Sequence, residues 1–118
     1  MTRATGRTLT LTLGTAPQDG ATVAALRLAE AAVQRGHRVA VYAYGDAVRV
    51  SACGSATADH VAGLLREGLH GGGVAWVVDR SSVATCGADR QVAGVLDGDP
   101  GDLWRFVRDS DVALGVPR

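Results

Sequence analysis

The chain has no lysine. Its twelve basic residues are all arginines, and twelve acids balance them to a formal net charge of zero. No basic run is interleaved with aromatics, which make up only 4% of the sequence, so no nucleic-acid surface is expected. The one net-positive stretch is short, Arg3 with Arg7. No apolar segment approaches the roughly 18 residues that a membrane span needs. The opening residues MTRATGR lead straight into a strand pattern rather than a signal-like hydrophobic segment, which points to the cytoplasm and away from a membrane. The two cysteines, Cys53 and Cys86, lack CxxC spacing and do not resemble a secreted disulfide framework. His37, His60 and His70 show no ligand spacing with a cysteine or carboxylate, so no metal site is expected.

What the chain does have is an alternation of strand and helix signals compatible with a single domain of 118 residues. Thr8–Leu13 alternates threonine and leucine as a first strand. A glycine-bounded loop, Gly14–Gly20, leads to an Ala-rich helix near Ala21–Arg35, with Asp19 near its cap and Val23, Leu26, Ala29 and Val33 on its buried face. Gly36 ends that helix, and Val39–Tyr44 reads as a buried strand. Val48–Val50 offers a short further strand. Thr57 is a candidate cap for a helix near Ala58–His70, with Val61, Leu64, Leu65 and Leu69 on one stripe.

Gly71–Gly73 turns into the apolar strand Val74–Val78. Asp99, Pro100 and Asp102 form a helix start, with Leu103, Phe106 and Val107 on the buried face and Trp104 on the flank. Val112–Val116 closes the chain as a strand. About five strands alternate with four helices. The expected fold is therefore α/β, a three-layer sandwich around a mostly parallel five-stranded sheet.

No cofactor is expected. The loop before the first helix lacks GxGxxG, and a P-loop would need GxxxxGK[ST] where this chain has Asp19 and no lysine. The acids Asp97, Asp99 and Asp102 resemble a calcium loop only superficially, because Pro100 interrupts the ligand spacing and no distal glutamate follows.

The candidate chemistry centres on Cys86. Val74–Val78 breaks into Asp79, Arg80, Ser81 and Ser82, and the residues beyond are helix-compatible, so Cys86 is expected on the first turn of a helix. There the unpaired N–H groups would favour a thiolate, and Arg90 four residues on would share its face. Thr85 and Ser82 are candidate caps or hydroxyl donors. Asp46, at a strand end, is either a crevice-rim residue or a turn-former. Cys53 also follows a strand and is a candidate redox partner for Cys86. Against these stands a plain alternative, a small cysteine packed in a helix.

The order of features resembles the DsrE/DsrF-like family of sulfur relay proteins over roughly Leu9–Val116. The features are the glycine loop after the first strand, the Ala-rich helix ending Gly-His, Gly-Asp-Ala-Val from Gly45, Cys86 with Arg90, Leu-Asp-Gly from Leu96, and Ser-Asp-Val-Ala-Leu from Ser110. The resemblance implies a flavodoxin-like fold and a homo-oligomer, trimer or hexamer. It also implies a sulfur carrier or sulfurtransferase role in which Cys86 takes a persulfide from a donor protein and passes it to an acceptor. The chain departs from the pattern at Val83, where many members carry the active cysteine, and at Gln91, where a glycine usually follows the arginine. Three readings therefore stay open: a persulfide carrier, a non-catalytic oligomeric scaffold or binding subunit, and a Cys53–Cys86 thiol switch.

Overall fold

The computed structural model describes residues 6–69 and 73–116. Arg3, His70 and the first two glycines of Gly71–Gly73, named above, lie outside the described residues. The chain runs β1 (Thr8–Leu13), α1 (Gly20–Gln34), β2 (Arg38–Ala43), a 3₁₀ helix (Gly45–Arg49), α2 (Ala58–Gly68), β3 (Val74–Asp79), α3 (Arg80–Cys86), β4 (Leu96–Gly98), α4 (Pro100–Asp109) and β5 (Val112–Val116). The five strands form one sheet in the order β4-β3-β2-β1-β5, and every neighbouring pair is parallel. The α/β fold expected from the alternation is the one observed.

Side-chain alternation in β1 sorts the sheet's two faces. Leu11 and Leu13 point into a core shared with Leu26, Ala29 and Val33 of α1, Val61 and Leu64 of α2, and Trp76 and Val78 of β3. Thr10 points the other way, and its hydroxyl donates to the Phe106 carbonyl of α4 at 3.3 Å. Thus α1 and α2 cover one face and α4 the other, completing three layers.

The helix ends follow local chemistry. The Asp19 carboxylate accepts from the Ala21 N–H at 2.9 Å. Asp99 and Asp102 form a reciprocal capping box with Pro100 inside it. Gly36, at φ 85°, takes the left-handed turn that ends α1, a conformation costly for any side chain with a Cβ.

Four expectations need correction. Val48 belongs to the 3₁₀ helix and Val50 follows it, so the short strand expected there does not form; the fifth strand is β4. Thr57 occupies the cap position of α2, yet its hydroxyl donates to the Val50 carbonyl at 2.7 Å instead of capping. Val23 is exposed and Thr22 is buried in its place, because the Thr22 hydroxyl is taken up by the Ala16 carbonyl and Thr15. Leu69 is 82% exposed at the end of α2, beyond the turn that packs.

Candidate functional site

Asp79, the last residue of β3, also caps α3. Its carboxylate accepts from the Ser82 N–H at 3.0 Å, the Ser82 and Ser81 hydroxyls at 2.8 Å each, and the Tyr42 phenol at 2.5 Å. A carboxylate at a helix start completes orphan N–H groups, so the helix begins at once after the strand. Burial alone would raise the Asp79 carboxyl, but these donors outweigh it and hold it below the ordinary range. The same contact holds the Tyr42 phenol well above its ordinary range, first through burial and then through the hydrogen bond and charge of Asp79.

This early start overturns the expected place of Cys86. α3 spans Arg80–Cys86 and stops at Gly87, which is left-handed at φ 65°. Cys86 is therefore the last residue of the helix, not on its first turn. The nearby helix end carries carbonyls and a partial negative charge, so α3 supplies none of the N–H stabilisation that a thiolate would gain at the opposite end. Arg90 lies four residues beyond that end and shares no helical face with Cys86.

What α3 presents instead is a polar clasp. Ser82 and Cys86, one turn apart, both reach Gly45 at the carboxyl end of β2. The Gly45 N–H donates to the Ser82 hydroxyl at 2.9 Å, and the Cys86 thiol points at the Gly45 carbonyl at 3.7 Å. Gly45, at φ 58°, allows its peptide to take that angle. Cys86 is half-buried and packs against the edge of the core.

Asp46 is exposed in the first turn of the 3₁₀ helix, next to this clasp, and Thr85 is exposed on α3. The structure brings Cys53 to Arg90 rather than to α3: the Cys53 N–H donates to the Arg90 carbonyl at 2.7 Å, and both residues are exposed. Both cysteines are free thiols. All five candidates thus occupy two stretches, 46–53 and 85–90, that follow the carboxyl ends of β2 and β3.

The residues overlooked in the sequence are those that hold these stretches together. The Ser51 hydroxyl donates to the Gln91 side-chain oxygen Oε1 at 2.6 Å, while the Gln91 side-chain Nε2 donates to the Val48 and Ala88 carbonyls at 2.9 and 2.7 Å. Gln91 therefore does structural work a glycine could not do. Tyr42 was also missed, and Ser82, a candidate cap or hydroxyl donor, proves to donate its hydroxyl to the residue that does cap, Asp79; an Asp three residues before a Ser at a strand end was the available signal for that cap. The order of strands turns back between β1 and β5, the usual crevice of such folds, whereas the candidates gather beyond the ends of β2 and β3, one and two strands from β1. No described group of histidine, cysteine and carboxylate side chains could hold a metal ion. Among the described residues no helix is long and apolar enough to cross a membrane.

Two of the solved structures that match this chain share its fold. The YchN protein of E. coli matches with a TM-score of 0.78 at 17% identity, over 92% of this chain and 98% of that one. MTH1491 of Methanobacterium thermoautotrophicum, a protein of unknown function, matches with a TM-score of 0.75 at 14% identity, over the same shares of each chain. The fold is flavodoxin-like, of the DsrE type. At such low identity the likeness concerns the DsrE-type fold alone. No family model matches the sequence, nor does any curated protein.

Proposed function

We propose that the chain is a sulfur carrier in which Cys86 holds a persulfide between a donor and an acceptor protein. The observation that supports this is a half-buried thiol at the carboxyl end of a DsrE-type sheet, beside the Gly45 peptide. In the transfer, the Cys86 thiolate attacks the outer sulfur of a donor persulfide. The donor S–S bond breaks, its electron pair leaves on the donor thiolate, and a new S–S bond forms at Cys86. An acceptor thiolate repeats the step in reverse. No oxidant is consumed. Arg90, Thr85 and Asp46 supply the polar surroundings, with Cys53 as a second thiol on the neighbouring stretch.

The direction of α3 favours a second reading, a non-catalytic scaffold subunit in which Cys86 only packs against Gly45. One experiment separates them. The protein is incubated with a persulfide-loaded cysteine desulfurase and its intact mass is measured. A gain of one sulfur on the wild type and on Cys53→Ser, absent from Cys86→Ser, is the expected result. No gain on the wild type leaves the scaffold.

A further inference from the structure

The lead-in to β1 is fastened to the turn between α1 and β2. Gly6 lies so close to that turn that a Cβ on it would collide with the Gly36 carbonyl. One residue on, the Arg7 carbonyl accepts from the Arg38 N–H at 2.9 Å, as the first rung of the β1–β2 ladder. The Arg7 N–H has a different partner. It donates to Nδ1 of the His37 ring at 3.0 Å, across 30 residues of chain, and has no other acceptor among the described residues. An imidazole nitrogen accepts only while it carries no proton, so the bond requires a neutral ring with its proton on Nε2. In the imidazolium both nitrogens donate, and N–H would face N–H. Protonation of His37 and this bond exclude one another.

The surroundings offer the protonated ring nothing in exchange. His37 is half-buried, and its ring lines an open apolar groove beside Leu9, Leu28 and Ala32, where a charge would lose hydration. The charged groups about the turn are Arg35 at the end of α1, Arg38 on β2, Arg7 itself and Asp111, whose carboxylate already takes the Thr8 N–H at 2.8 Å. Among the described residues His37 makes no ion pair. The carboxyl end of α1 would favour a cation, but its Ala31, Ala32 and Val33 carbonyls are taken up by the N–H groups of Arg35, Gly36 and His37.

We propose that His37 is a pH-operated latch on the amino end of β1. With the ring neutral, Nδ1 holds the Arg7 N–H and the lead-in lies closed against the α1–β2 turn. Once the ring takes up a proton, the bond breaks, the ring turns toward water, and Gly6 and Arg7 loosen from the turn. Histidine is the side chain whose charge changes between about pH 5 and pH 8, so the latch answers to mild acidification. It stands independently of the carrier reading, because Cys86 lies beyond the opposite, carboxyl ends of these parallel strands.

Hydrogen exchange of the Arg7 amide tests this, measured by NMR on the full chain from about pH 8 to about pH 5 with each rate divided by its intrinsic value. The Cε1–H shift of the His37 ring is followed in the same samples. The expected result is protection that falls about five- to tenfold in step with the His37 ring, the weight of one hydrogen bond. Val41, in the centre of the sheet, should keep its protection. His37→Asn places an acceptor that takes up no proton where Nδ1 was, and is expected to protect Arg7 equally across the range. His37→Phe removes the acceptor and should leave Arg7 unprotected throughout. His60, paired with Glu30 at 3.5 Å, is the control, and His60→Gln should reproduce the wild-type profile. Arg7 protection that ignores the His37 titration, that survives His37→Phe, or that falls by the same amount in His37→Asn would overturn the proposal.

Discussion

On the face of the sheet covered by α1 and α2, leucine, valine and Trp76 interlock almost without polar atoms. On the face covered by α4, the strands offer Thr8, Thr10, Thr12, Tyr42 and Asp79 beside the buried Ala40 and Val77, and no residue of α4 is buried. The first face is held by apolar burial, worth about 25 cal/mol for each Å² removed from water. The second buries fewer apolar side chains, Ala40 and Val77 among them, and adds directional bonds from hydroxyls to a carboxylate and to carbonyls, which contribute only about 1 kcal/mol each unless a charge takes part. The difference teaches that the two layers have different duties: one secures the sheet, and the other fixes where β3 ends and α3 begins.

The strongest way to break this contrast is Trp76→Ala, which should destabilise by about 3–5 kcal/mol in urea unfolding because it empties the centre of the dry face. The Trp76 indole N–H has no hydrogen-bond partner among the described residues, so Trp76→Phe should cost well under half of that. A Phe variant as damaging as the Ala variant would show that the indole finds a partner after all.

Tyr42→Phe strikes the opposite face and should cost about 1–3 kcal/mol, since it strips a phenol from a partly buried carboxylate. Its pH profile is the sharper readout. The folded Asp79 carboxyl lies below its unfolded value near 3.9. Its contribution is therefore present above that value and lost as pH falls through the folded one. The folded Tyr42 phenol lies above its unfolded value near 10, so its contribution is full below that value and fades as pH rises beyond it. Equilibrium unfolding across pH should show both limbs in the wild type, no alkaline limb from this residue in Tyr42→Phe, and a weaker acid limb. Identical profiles for the two proteins would remove the carboxylate–phenol pair from the stability of this face.

Smaller effects should follow at the ends of α4. Asp99→Ala removes the capping box and should cost about 1 kcal/mol by thermal unfolding. Thr10→Val exchanges a single hydroxyl bond to the Phe106 carbonyl for a methyl and should change stability by less than about 1 kcal/mol. A loss as large as that of Trp76→Ala would mean that α4 does more than cover.

The strands at Thr8–Leu13, Val39–Tyr44, Val74–Val78 and Val112–Val116 were readable, to within a residue at each end, because their β-branched and leucine runs are bounded by glycine or by turn residues. The caps Asp19 and Asp99 were readable because the residue that satisfies the helix end is adjacent in sequence. β4 was not, because Leu-Asp-Gly has no pattern of its own and becomes a strand only by pairing with Val77–Asp79. The candidate site was legible as a set of residues and illegible as geometry. Cys86, Arg90, Thr85, Asp46 and Cys53 do fall on two stretches at neighbouring strand ends, but the direction in which α3 presents Cys86 was reversed.

By itself the sequence determined an α/β chain of parallel strands, since periodicity and capping are local and act between residues a few positions apart. Tertiary structure decided that α3 begins at Asp79, that Cys86 closes the helix against Gly45, and that β5 is left at the rim of the sheet. Each of these depends on a phenol, a peptide or a strand supplied from more than thirty residues away, whose arrival no local pattern encodes.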